Sequence, residues 1–159
     1  MNNLFIMKFE SLNIDSSKSG YTKLNNQINS LTNILSALEK RSLADADIEF
    51  INAQITLLNE FDGSEKALTR KIRHSIRAIL KQVEKSVKIV PKGYYRNLYL
   101  AIGMSFGVPL GVVFSSALDN MAFVGIGIPI GMTIGIVIGS QMDEKARKEG
   151  RQLDIEVAY

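Results

Sequence analysis

The chain has no cysteine, no tryptophan, one histidine and three prolines in 159 residues. Without cysteine there is no disulfide, no thiolate nucleophile and no lipid-bearing cysteine; with His74 as the single histidine, a Cys/His zinc site within one chain is excluded as well. Charge is scarce where it matters most. From Leu98 to Met142 the only charged side chain is Asp119, so neither a proton relay nor a charged transport site is indicated there. An export signal is not expected at the N-terminus either, because Leu4 to Met7 is a four-residue apolar run cut off by Lys8 and Glu10, far short of a signal-peptide core. Any route to a membrane then runs through internal sequence. No triad, metal set or phosphate loop is present, and His74, on a helix with Arg73 and Arg77, reads as a surface side chain. Catalytic, cofactor-binding and metal-binding residues are therefore not expected, and neither is an enzyme.

What is present is unevenly spread. Residues 1–63 carry 5 Lys/Arg against 8 Asp/Glu, residues 64–96 carry 10 against 2, and residues 143–159 carry 4 against 5. Positive charge thus forms one block directly ahead of the apolar region. Residues 1–21, rich in Asn and Ser and reaching Gly20, read as a loosely ordered lead-in in which Met1 to Phe9 could add a short strand or cap. Residues 22–92 read as a helical domain. From Thr22 to Arg41, Leu24, Ile28, Leu31, Leu35 and Leu38 recur at steps of 4, 3, 4 and 3, the seam of an amphipathic helix. A second helix is expected from about Ser42 to Asp45, where short polar side chains can cap free amides, with Ile48, Ile51, Ile55 and Leu58 on its apolar face. Asp62-Gly63-Ser64 supplies a turn and a cap. Connections this short predict antiparallel neighbours, either as a self-contained bundle or as a coiled coil that takes a protein partner through residues 22–61.

The third helix, expected from Ser64 to Ile89, carries an apolar stripe of Leu68, Ile72, Ile76, Ile79, Val83 and Val87. Lys66, Arg70, Arg73, Arg77, Lys81, Lys85 and Lys88 keep the same spacing two residues out of phase, about 200° around the helix. One face packs and the opposite face is cationic. With Lys92 and Arg96 this row adjoins an apolar span, so it reads as a membrane-surface element for anionic headgroups, at roughly 1 kcal/mol per basic residue near the surface, or as a topology signal. Nucleic acid is the weaker reading because position, rather than charge, decides. Pro91 and Gly93 are expected to end or bend the helix.

Residues 93–142 form the most informative stretch, holding 8 of the 12 glycines between Leu98 and Met142. Tyr94, Tyr95 and Tyr99 sit with Arg96 at its entrance, as interfacial anchors do. Leu98 to Leu118 and Met121 to Met142 are each long enough, at about 1.5 Å per residue, to cross a hydrocarbon core of about 30 Å. Only Asp119 and Asn120 separate them, which predicts an antiparallel hairpin with a tight turn. Small residues recur every fourth position: Gly103, Gly107, Gly111 and Ser115 in the first span, and Gly127, Gly131, Gly135 and Gly139 in the second. Such rows let helix backbones approach where lipid gives no hydrophobic drive. In a pair turning at Asp119, residues of equal depth have numbers summing to 238, so Gly103 falls level with Gly135, Gly107 with Gly131, Gly111 with Gly127, and Pro109 with Pro129. The rows fit two arrangements, zipping the helices of one chain or facing glycine grooves of neighbouring copies.

Pro109 and Pro129 each remove a backbone hydrogen bond near mid-span. Ser105 and Thr133 lie one turn away and offer hydroxyls to offset the loss. Matched kinks are the plain reading; a hinge or pore constriction is the sharper one. Basic residues flank both spans and are missing from the turn, which predicts two cytoplasmic termini. Residues 143–159 read as a charged tail, a short helix over Asp143 to Leu153 and then a frayed end.

The repeated Gly-x-Pro-x-Gly (Gly107 to Gly111, Gly127 to Gly131), followed by Asp143-Glu144-Lys145-Ala146 and Glu149-Gly150-Arg151-Gln152-Leu153, resembles the small bacterial glycine-zipper membrane proteins over about residues 95–153. The resemblance implies a two-span hairpin in a bacterial inner membrane and supplies no catalytic residues. The expected class is all-α, a cytoplasmic bundle or coiled coil of about three helices followed by a two-span transmembrane hairpin. Its expected partners are the lipid bilayer and further copies of itself. Its expected role is that of a non-enzymatic anchor and self-association element, with an oligomeric pore as the alternative.

Overall fold

The computed structural model describes residues 9–14 and 22–156. Five helices run in order: α1 (Thr22–Glu39), α2 (Asp45–Asn59), α3 (Glu65–Val87), α4 (Tyr94–Ala117) and α5 (Ala122–Lys148). Two short strands, β1 (Val90–Lys92) and β2 (Gln152–Glu156), pair as a two-stranded sheet. The helical class is as the sequence predicts, with this small sheet added. The chain divides into two compact units, Met1–Val90 with Leu153–Tyr159, and Pro91–Gln152.

In the first unit α1 and α2 each pack on α3. The expected stripes supply the core: Leu24, Ile28, Leu31, Leu35 and Leu38 from α1, Ile51, Ile55 and Leu58 from α2, and Ile72, Ile76, Ile79 and Val83 from α3 are buried. Ile34 and Leu80 join them; α3, which carries Leu80, packs against both α1 and α2, so its buried stripe is wider than an a/d seam. These faces are occupied by the bundle itself, so a partner coil using the same stripe would have to open the core.

The helix starts differ in kind. Ser64 caps α3, its hydroxyl accepting from the Ala67 amide at 3.4 Å. The expected polar cap on α2 is replaced by Ala44, which makes no side-chain cap bond. Instead Asp45 and Asp47 occupy its first turn, where the partial positive charge of the helix end favours a carboxylate. Asp47 is buried and accepts from Gln82 Nε2 at 2.9 Å and Ser86 Oγ at 2.8 Å. Those donors stand one turn apart on α3, so a buried charge that would be costly alone ties α2 to α3.

Three expectations about chain ends need correction. The third helix stops at Val87 rather than Ile89: Lys88 takes a left-handed conformation, φ 58°, with its amide on Glu84 O at 3.1 Å. Pro91 therefore lies in β1 and does not bend a helix. The tail holds no separate short helix, because α5 runs unbroken to Lys148. Nor is the segment from Asp154 frayed throughout: β2 extends to Glu156, and Leu153, only 1% exposed, sits in the core of the first unit.

The lead-in is also partly structured. Phe9 is buried in that core, with Leu12 and Ile14 packed against it. Three side chains of α2 hold the segment: Asn52 Oδ1 accepts from the Glu10 amide at 2.9 Å, Asn59 Oδ1 accepts from the Asn13 amide at 2.8 Å, and Asn59 Nδ2 donates to Ser11 O at 2.9 Å. Thr56 Oγ1 adds a bond to the Glu10 carboxylate at 2.8 Å. The remaining residues of the expected lead-in, 1–8 and 15–21, lie outside the described residues.

Candidate functional site

The second unit is the apolar hairpin. α4 and α5 are both long and apolar enough to cross a membrane, and most of each span is exposed rather than buried in protein. Asp119 makes the turn with φ 47°, a left-handed position that Asp tolerates better than most residues. Asn120 completes it, its amide on Ser115 O at 3.1 Å and its Oδ1 accepting from the Ala122 amide at 3.0 Å. The two turn residues thus stop one helix and start the next.

Along the hairpin the glycine rows face each other. Gly107, Gly111, Ser115, Gly127, Gly131, Gly135 and Gly139 are buried, and Gly103 is half-buried. A Cβ on Gly107 would lie 2.6 Å from Gly127 O and 3.0 Å from the Ile128 Cα, and one on Gly127 would lie 2.7 Å from the Gly111 Cα. A Cβ on Gly139 would meet Tyr95 O at 2.5 Å and the Arg96 Cα at 2.6 Å. Two registers interleave. Among the Cα approaches, Gly103 with Gly135, Gly107 with Gly131 and Gly111 with Gly127 have numbers that sum to 238, while Gly107 with Ile128 and Gly139 with Arg96 sum to 235, and most carbonyl approaches pair numbers that sum to 234. Gly127 thus fits between Gly107 and Gly111, and Gly131 between Gly103 and Gly107, whereas Gly135 and Gly139 lie against the backbone of Tyr99 and Leu100 and of Tyr95 and Arg96. Every obstructing atom named here is backbone, so no side-chain rotation could make room.

The outer surface is apolar. Phe106 is 67% exposed, Val113 62% and Ile134 51%. Pro109 and Pro129 also face outward, away from the paired rows. The hydroxyls expected to compensate them do something else: Ser105 donates to Ala101 O at 2.9 Å and Thr133 to Pro129 O at 2.8 Å. Pro109 withholds its hydrogen bond from Ser105 O and Pro129 from Gly125 O, and neither hydroxyl reaches those carbonyls. Gly125 departs from the other helical glycines, since a Cβ there would meet nothing within 4 Å.

A polar clasp closes the open end. Asp143 Oδ1 and Oδ2 accept from the Tyr95 and Arg96 amides at 3.1 and 3.0 Å, amides that the first turn of a helix leaves without partners. The end of α5 thereby caps the start of α4, where Gly93 provides no side chain. Gln152 Nε2 donates to Asp143 O at 3.4 Å. Arg151 binds Glu149, with Nε to Oε2 at 2.8 Å, and this bond, followed by one to Tyr95, raises the guanidinium pKa. Tyr94 and Tyr95 stack edge to face with centroids 5.2 Å apart. Sequence reasoning placed Tyr94 and Tyr95 at this end of the hairpin as interfacial anchors and missed Asp143; the signal available was an acid opening a basic tail, which reads equally well as solvated charge.

The basic residues of the expected row fall on several elements. Lys66, Arg70, Arg73, Arg77, Lys81 and Lys85 are exposed along α3, while Lys88 is its C-cap, Lys92 lies in β1 and Arg96 in α4. His74 is exposed. Among the described residues no group of three or more His, Asp or Glu is arranged to hold a metal ion.

Residues 93–145 match the family model described as glycine zipper membrane protein. The match coincides with the two apolar helices and their paired rows, and the two findings together assign the chain to a membrane. No curated protein and no solved structure matches the chain.

Proposed function

We propose that the chain is a non-enzymatic integral membrane protein whose hairpin anchors a helical domain at the cytoplasmic face of a bacterial inner membrane. The observation that carries this reading is the mutual burial of the glycine rows. With small residues spent on the partner helix, the surface left outside is a collar of Phe, Val, Ile and Leu suited to acyl chains, and the hydroxyls of Ser105 and Thr133 bond within their own helices. A water-filled lumen would call for a polar face, and the hydroxyls of Ser105 and Thr133 are already engaged with their own helices. The anchor is thereby favoured over the pore.

Topology has support beyond charge. Leu153 follows the second span yet lies in the core built by α1 to α3, which precede the first; both flanks of the hairpin then belong on one side of the bilayer. The basic excess before α4, together with Lys145, Arg147, Lys148 and Arg151 after the apolar part of α5 and no basic residue in the turn, supports a cytoplasmic position for that side. In the same reading the exposed row from Lys66 to Lys85 attracts anionic headgroups. Self-association is retained, through surfaces other than the glycine rows. Two measurements test the proposal. The intact chain should stay in the membrane pellet after an alkaline wash, and vesicles carrying it should hold their ions; release in the wash defeats the anchor, and steady leakage favours the pore.

A further inference from the structure

We propose that α3 lies lengthwise on the anionic headgroups of the bilayer that the hairpin crosses, so that lipid charge decides whether the helical domain rests on the membrane surface or stands away from it. This posture rests on the membrane reading given above. Two cationic blocks flank the spans, and the structure separates them in kind. Beyond the apolar part of α5, Lys145 pairs with Glu149, Arg147 and Lys148 pair with Glu144, and Arg151 pairs with Glu149. Those charges are met within the chain. On α3, Lys66, Arg70, Arg73, Arg77, Lys81 and Lys85 are exposed, and among the described residues none of them enters an ion pair. Even the Glu84 carboxylate, close to Lys81 and Lys85 in sequence, pairs with none of the row. A line of unmet cations is complementary to a surface of phosphates.

The kind of contact follows from what the row lacks. No large apolar side chain of α3 is exposed, because Ile72, Ile76, Ile79, Leu80 and Val83 are buried in the core. The row therefore has nothing to sink among acyl chains, as an interfacial amphipathic helix would, and only charge can hold it. From Lys66 to Lys85 it extends about 28 Å along the helix axis, whereas a surface potential fades within a Debye length of about 8 Å at physiological salt. With α3 upright, one end of the row is in that field; with α3 lying along the surface, the whole row is. An anionic bilayer thus selects the lying posture and a neutral one does not. Residues 88–93 alone separate α3 from α4, so this tether keeps headgroups at high local concentration whichever posture the domain takes. With no apolar surface committed, the domain lifts away when salt rises or lipid charge falls. Nucleic acid offers similar phosphates, but the tethered surface is met first.

The chain holds no cysteine, so a single dye can report the posture. Ala67→Cys, exposed beside Lys66 at the end of the row remote in sequence from the span, and Glu49→Cys, exposed on α2, are each labelled in the full chain. The labelled chains are reconstituted into vesicles of phosphatidylcholine, alone or with phosphatidylglycerol, that carry a headgroup quencher. At physiological salt the Ala67 dye should be quenched several-fold more in the anionic vesicles, and the excess should vanish at about 1 M salt, where the Debye length falls to about 3 Å. The Glu49 dye should change little. Arg70→Gln, Arg73→Gln and Arg77→Gln together should abolish the excess, whereas Lys145→Gln, Arg147→Gln and Lys148→Gln, an equal loss of basic residues, should leave it; hydrogen exchange of α1 to α3 amides checks that each variant is folded. Equal quenching of the Ala67 dye in the two vesicle types overturns the posture, and so does an excess that the α3 variant keeps. Relief of the quenching by a duplex oligonucleotide at physiological salt would show that the row prefers nucleic acid, which also overturns it. A chain released by the alkaline wash fails as an anchor, while a chain that stays in the membrane without this dependence on lipid charge fails only in its posture.

Discussion

Adding one methyl group at Gly107 should open the hairpin, while the same addition at Gly125 should not. The Cβ of Gly107→Ala falls 2.6 Å from Gly127 O, 3.0 Å from the Ile128 Cα and 3.1 Å from the Gly127 carbonyl carbon. Ordinary contact begins near 3.4 Å, so the helices must part locally by about 0.8 Å. No rotamer change can absorb that shift because the obstacle is main chain. Both substitutions sit inside helices and gain the same helix propensity, roughly 1 kcal/mol; the difference between them isolates the contact. Overpacking of a close-fitted interface costs about 1–3 kcal/mol, and that is the expected gap between the two variants. The assay is hairpin opening in mixed micelles as the fraction of denaturing detergent rises, read by energy transfer between dyes on Asn97→Cys and Gln141→Cys, both exposed. Gly107→Ala should open earlier than the parent, and Gly125→Ala at the same point or later. Equal midpoints for the two variants would refute interhelical glycine packing.

Four further outcomes are expected. Leu153→Ala removes a fully buried side chain from the helical core and should destabilise that unit by about 2–5 kcal/mol, measured by hydrogen exchange of α1 to α3 amides; unchanged protection would show that the strand does not complete the core. Asp143→Ala should cost about 0.5–2 kcal/mol as a lost helix cap and speed exchange of the Tyr95 and Arg96 amides, whereas Asp143→Asn should recover part of the effect. Asn120→Cys should react with a membrane-impermeant maleimide from the non-cytoplasmic side of intact cells and Ser42→Cys only after lysis; the reverse pattern would invert the topology. Asn59→Ala should expose the Asn13 amide to exchange well before the core, and equal protection there would mean that the α2 side chains do not hold the segment.

The parts of this fold that the sequence announces are those built by repetition. A leucine or isoleucine every three or four residues marks a buried helix face whatever its neighbour is, and Leu31 or Ile72 could be placed inward without knowing what covers them. The glycine rows are legible for the same reason, since one tight turn at Asp119 fixes the register of everything before and after it. The latch on residues 9–14 gives no comparable signal. Asn52, Thr56 and Asn59 are ordinary surface residues until a segment more than 40 positions away lies across them. Asp143 is similar: its role depends on the start of α4 arriving beside it. Leu153 follows a charged run and lies within no apolar period, so its burial becomes visible only when β2 pairs with β1. Ser105 and Thr133 show the opposite error. Proximity to a proline suggested a repair, but a hydroxyl on a helix reaches its own preceding turn first.

The burial of Leu153 also sets an order of events. During synthesis, domains usually fold as soon as their residues have emerged, N-terminal parts first. Here α1, α2 and α3 are complete long before the residue that finishes their core, because about sixty residues containing both spans come between. Until the hairpin is made and the chain has returned, the domain keeps an apolar vacancy where Leu153 belongs. Closing a loop of that length is slow when its contacts are non-local, but a hairpin that brings its two ends together shortens the search. Membrane insertion thus becomes a step in the maturation of the domain, and a chain stalled before its second span would be recognisable to quality control by the exposed core it leaves behind.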